Sequence, residues 1–143
     1  MTLRDWVGTV LILGNHDRMF LDAIADPGLS RRSKHWLDHC GGSETARSYR
    51  RADDFNAAKN EIAEQFGHHI DALSSATLML RDGPFIACHA GINSWLPLDQ
   101  QSPHDLMWIT DGFLDRVDPQ MVPIIHGHSI MGELPVYGKS AFD

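Results

Sequence analysis

Cysteine is scarce in this chain: Cys40 and Cys88 are the two present among 143 residues. They do not form a metal pair by spacing, and a reduced, cytoplasmic compartment is the simple expectation. Basic charge is also in deficit. Twelve Lys and Arg stand against 19 Asp and Glu, a net charge of −7. Binders of nucleic-acid polymers and of membrane surfaces need a basic face, so both classes are disfavoured. No apolar run is long enough to span a membrane. The N-terminus lacks a signal-peptide pattern, because Asp5 cancels Arg4 and the short apolar run leads straight into Gly14-Asn15-His16-Asp17. A Gly-rich phosphate loop and a serine nucleophile elbow are both missing. So are internal repeats, linkers and low-complexity tracts.

What is present is ordinary in amount and unusual in placement. Hydrophobic residues make up 43%, enough for a core, and the length predicts a single domain over 1–143. Nine histidines are many for this length, and several follow strand-like segments. Trp6–Leu13 runs into Gly14-Asn15-His16-Asp17, Phe85–Cys88 into His89-Ala90-Gly91, and Met121–Ile125 into His126-Gly127-His128-Ser129. In open α/β sheets, ligands bind beyond the carboxyl ends of strands. The three ends are therefore expected to converge on one metal site.

Between these segments, Arg18–Ala25 reads as a short helix after an Asn15-His16 loop, stopped by Asp26-Pro27-Gly28. Ser30 is placed to cap a second helix ending at Gly41-Gly42, and Ser43–Arg51 is a polar stretch. Asp53 or Asp54 starts the clearest helix, with Phe55, Ala58, Ile62 and Phe66 at helical spacing. A short turn, His69–Leu73, follows. Thr77–Leu80 and Pro84–Cys88 flank Arg81-Asp82-Gly83 as a hairpin. Short helical pieces are expected at Asp105–Trp108 and Gly112–Leu114, and one more strand in Leu134–Asp143.

Each candidate has a plainer alternative. Gly14-Asn15-His16-Asp17 offers an amide oxygen for a cation and an imidazole for proton transfer, yet Gly, Asn and Asp are also turn residues. A lone histidine such as His89 is more often structural. His126 and His128 share a side if the chain is extended, and a loop breaks that rule. Mixed nitrogen and oxygen ligands suit manganese, iron, zinc or cobalt better than calcium. His35 and His39 lie four apart on an expected helix. No Glu stands beside His35 as a zincin pattern needs, so a surface face is the expectation there. His68-His69 reads as a solvated helix end. Arg47, Arg50 and Arg51 match phosphate geometry, but a solvated charged stretch is the plainer reading.

Leu11–Asp17, Ala87–Ile92 and Ile124–Ser129 together resemble, in order, the later motifs of calcineurin-like metallophosphoesterases. The closest likeness is to the PPP-type serine/threonine phosphatases and the symmetrical dinucleoside tetraphosphatases. Trp36-Leu37…Gly41-Gly42…Thr45…Ser48-Tyr49 and Asp105-Leu106-Met107-Trp108-Ile109…Phe113-Leu114 resemble further segments of bacterial members. The resemblance implies an α/β fold, a partial metallophosphoesterase β-sandwich flanked by helices. It implies a phosphatase acting on phosphoprotein or a dinucleoside polyphosphate. Asn15, His89 and His128 would be metal ligands, and His16 the catalytic histidine that gives a proton to the leaving oxygen; the choice of His128 over His126 rests on the resemblance. Manganese is the expected ion, with two ions in the complete family. The family's Gly-Asp-x-His-Gly and Gly-Asp-x-x-Asp-Arg-Gly motifs should precede Gly14, and its Asp-Thr-Gly strand should follow Ser129; none is here. Thr110 stands where relatives often carry arginine. The expectation is a member shortened at both ends, holding at most one ion well and leaving an apolar strand edge open to self-association. A non-catalytic phosphate- or protein-binding remnant is the competing expectation.

Overall fold

Capping and apolar spacing place the helices much as the sequence predicts. In the computed structural model, which describes residues 8–49, 54–110 and 122–129, the chain forms two compact units: 1–15 with 76–143, and 16–75. Trp6, Val7, Arg50, Arg51, Asp53, Gly112–Leu114, Met121 and the tail from Leu134 lie outside the described residues. Helices together with a small sheet agree with the α/β expectation.

The helical unit carries α1 (Asn15–Ala25, its first residue counted with the other unit), α2 (Arg31–His39), α3 (Gly42–Ser48), α4 (Phe55–Gln65) and α5 (Gly67–Ser74). Ser30 caps α2 by accepting from the Ser33 amide, and Asp54 caps α4 by accepting from the Ala57 amide. Asp26 strengthens the first cap, accepting from the Ser30 amide at 2.8 Å and the Ser33 hydroxyl at 2.6 Å. These bonds hold its carboxyl far below the usual carboxylate range. The core is Phe20, Ala23, Trp36, Ala46, Phe55, Ala58 and Ile62. Trp36 is 2% exposed and meets Phe20 at 6.0 Å and Phe55 edge-on at 5.6 Å. Buried Lys59 donates from Nζ to the Asp26 carbonyl.

The other unit holds a sheet of order β1-β2-β3. β1 (Met79–Asp82) and β2 (Phe85–Cys88) pair antiparallel, and β3 (Ile124–Ile125) runs parallel to β2, with Ile86 opposite Ile124. Gly83 takes φ 54° at the first position of the two-residue turn, followed by Pro84, which suits a type II′ hairpin. Cys88, Ile92 and Leu106 form the core, with Leu78, Met79, Leu98 and Ile124 against it. A 3-10 turn (Leu98–Gln100) and α6 (Pro103–Trp108) complete the unit. Ser102 caps α6 by accepting from the Asp105 amide.

Several expectations are corrected. The first strand shrinks to one bridge, Ile12 beside Thr77, with Leu13 and Thr77 donating amides across it. Val10 and Leu11 are 49% and 39% exposed, so the apolar run has no covering layer at that point. Asn15, His16 and Asp17 are the first turn of α1 and not a loop; Asp17 there suits the positive end of the helix dipole. The polar stretch from Ser43 is largely α3, which buries only Gly42 and Ala46. The turn at His69 is the two-turn helix α5. The hairpin turn is the two residues Gly83-Pro84 in place of the expected Arg81-Asp82-Gly83, and the last strand is reduced to Ile124–Ile125.

Candidate metal centre

Parallel pairing carries the carboxyl ends of β2 and β3 to one edge of the sheet. His89 follows β2, and His126-Gly127-His128 follows β3. The register sets Ala87 opposite Ile125, so residue 89 comes beside 127. The Gly127 amide donates to the His89 carbonyl at 2.9 Å. A Cβ on Gly127 would meet that carbonyl at an ordinary 3.9 Å, so space alone does not demand glycine there.

His128 has φ 65°, a left-handed backbone that costs an L-residue about 1–2 kcal/mol. The Ser129 amide closes on the Gly127 carbonyl at 2.7 Å, across His128. That bond and the positive φ are the marks of the rarer, strained γ-turn. The turn breaks the alternation that would have set His126 and His128 on one side. The His126 Nδ1 instead lies 3.2 Å from the Gly127 carbonyl, to which it must donate.

Asn15 is 3% exposed. Its Oδ1 stands 2.9 Å from His89 Nε2. An amide oxygen can only accept, so Nε2 carries the hydrogen in this arrangement. The His89 and His128 rings lie with centroids 5.1 Å apart at 61°. Asn15, His89 and His128 thus come together within one unit, from three distant parts of the chain.

These separations fit a shared cation. Neighbouring ligands at about 2.0–2.1 Å from a small ion stand about 3 Å apart, a spacing that the hydrogen-bonded Oδ1 and Nε2 share at 2.9 Å. Two imidazoles bound at about 2.0–2.1 Å place their centroids about 4.5–5 Å apart, close to the observed separation. The set is lean in charge, however. Among the described residues there is no group of three or more His, Cys, Asp and Glu that could hold a metal, and this centre has two histidines and an amide.

Trp108 is a neighbour of this centre that the sequence pattern does not mark as a site residue. Its ring meets His128 at 6.3 Å and 79°, and stacks on His104 at 6.4 Å and 20°. The Ala90 amide donates to the Leu106 carbonyl at 2.9 Å, tying the His89 loop to α6. The signal available in sequence was the helical spacing of His104 and Trp108, one turn apart. Cys88, adjacent to His89, is buried, and burial pushes its thiol up to about 11. It is unsuited to act as a thiolate ligand or nucleophile.

The remaining candidates lie elsewhere. His16 is exposed on the first turn of α1 and counts with the helical unit. Arg47 pairs with Glu44 at 3.0 Å on an exposed surface, in line with the solvated reading. His69 Nδ1 pairs with the Tyr49 hydroxyl at 3.0 Å. Among the described residues no helix is long and apolar enough to cross a membrane. No family model, curated protein or solved structure matches the chain.

Proposed function

We propose that this chain is a metal-dependent phosphoester hydrolase of the calcineurin-like metallophosphoesterase kind, acting on phosphoprotein or a dinucleoside polyphosphate. Its α/β arrangement is read as part of that family's β-sandwich. The observation that supports this reading is the meeting of Asn15, His89 and His128 at the ends of neighbouring sheet segments. Asn15, His89 and His128 would hold a divalent cation, manganese first, which would supply Lewis-acid polarisation of a phosphoryl oxygen.

The chain's own residues have distinct tasks. To ligate through Nε2, His89 would shift to the tautomer with its hydrogen on Nδ1, which would break its bond to Asn15 Oδ1 and free that oxygen as well. His128 would present its imidazole from its strained turn. The resemblance gives His16, the residue after Asn15, the role of giving a proton to the departing oxygen; its side chain is exposed. Ala90, fully buried, keeps the backbone behind His89 close-packed.

The test is hydrolysis of an aryl phosphate by the chain with added manganese, beside His89→Ala. Manganese-dependent turnover that disappears in the variant is expected. Equal turnover in both would overturn the site. The Asn15–His89 hydrogen bond also favours a second reading, because it satisfies both groups without an ion: a non-catalytic module that binds a phosphate-bearing or protein partner. On that reading no turnover occurs, and calorimetry shows phosphate or partner affinity unchanged by His16→Ala.

A further inference from the structure

We infer that His35 and His39 form a second cation site, on α2, selective for zinc, nickel or copper. The two residues stand one helical turn apart, and both are exposed. Their ring centroids are 5.1 Å apart at 48°. That matches the His89–His128 separation and the spacing expected for two imidazoles on one ion.

Three features make the pair a chelate rather than two loose side chains. First, α2 is fixed at its start by Ser30 and Asp26. Second, Ser33 and Trp36 are buried, which turns the face carrying His35 and His39 outward. The separation is thus set by helix geometry and not by loop position. Third, His39 lies in the last turn of α2, where the helix dipole favours a cation.

The neighbours decide which cation. Arg31 lies one turn before His35, Lys34 is adjacent to it, and Asp38 is adjacent to His39; all three are exposed. Among the described residues no third His, Cys, Asp or Glu completes a cluster. A hard ion that depends on several carboxylate oxygens is therefore not provided for, while ions with high intrinsic affinity for imidazole nitrogen are held. Water fills the remaining positions. Manganese, the ion proposed for the other centre, is rejected here.

The experiment is titration of the full chain with nickel chloride and, separately, manganese chloride. Calorimetry gives affinity, and broadening of backbone amide resonances gives position. Nickel should broaden amides around residues 35–39. His35→Ala and His39→Ala should each weaken that binding at least tenfold, since either leaves a single imidazole. Manganese should leave α2 unbroadened. Both positions are exposed and alanine favours helix, so circular dichroism should report an intact fold. The inference is overturned if nickel leaves α2 untouched, or if either variant binds there as tightly as the parent. Neither substitution touches Asn15, His89 or His128, so manganese-dependent hydrolysis should survive both.

Discussion

Replacing His128 separates the cost of its backbone from the role of its ring. Two variants, His128→Gly and His128→Ala, both remove the imidazole and its contacts with His89 and Trp108. They differ in tolerance for φ 65°. Alanine keeps a left-handed penalty of about 1–2 kcal/mol, which glycine escapes. Glycine in turn loses about 0.4–1 kcal/mol through its freer unfolded chain. The balance leaves glycine ahead by about 0.5–1 kcal/mol, the reverse of the usual order. With a urea slope of about 1–3 kcal/mol per molar, the midpoints should differ by a few tenths molar. Urea unfolding of the full chain followed by circular dichroism reads this directly. An alanine variant as stable as the glycine variant, or more stable, would refute the strained turn. Neither variant should bind manganese, so any gain in stability would come with loss of the centre.

Other outcomes follow from packing and charge. A Cβ at Gly42 would lie 2.8 Å from the Leu37 Cα and 2.7 Å from the Trp36 ring. Gly42→Ala should destabilise by about 1–3 kcal/mol through overpacking, whereas Gly67→Ala, with open space around it, should be neutral or better in thermal unfolding. Asp26 titrates far below its usual range because Ser33 and Ser30 donate to it. Its contribution is complete above the unfolded carboxyl value of about 3.9 and is lost as pH falls toward the lowered folded value. Asp26→Asn should therefore flatten the acid limb of a stability–pH curve, and an unchanged limb would assign acid sensitivity to other groups. Trp108→Leu should weaken manganese binding about tenfold by freeing the His128 ring, and Trp108→Phe should restore most of it. Equal affinities in calorimetry would mean that the ring contact does not orient His128.

Legibility varied with how much of each feature is local. α2 and α4 could be read because Ser30 and Asp54 cap them and Trp36, Phe55, Ala58 and Ile62 repeat at helical spacing. α3 escaped notice because its buried positions are Gly42 and Ala46, too small to write a hydrophobic pattern. α5 buries no residue and wrote none either. The run ending at Leu13 announced a strand, but apolar character says nothing about whether a neighbour arrives. Only Thr77 does, among the described residues. At Asn15 the turn-forming composition concealed the start of α1. Asn15 and His89 stood out at the ends of strand-like segments, but their hydrogen bond depends on pairing across 74 positions, which spacing does not give; the resemblance supplied the choice of His128 over His126. The γ-turn at His128 had no local signal at all.

That separation also orders events during synthesis. Among the described residues, the buried core of the helical unit lies between Phe20 and Ile62, so it is available once Ser75 has emerged. The centre has a different schedule. β2 stays without its parallel partner until Ile124 is made, and His89 waits for His128. At about 5–20 residues per second, translation reaches His128 several seconds after Ser75. A nascent chain halted in that interval contains the described helical core and only part of the proposed centre. Until His128 arrives, Asn15 is the partner available to His89.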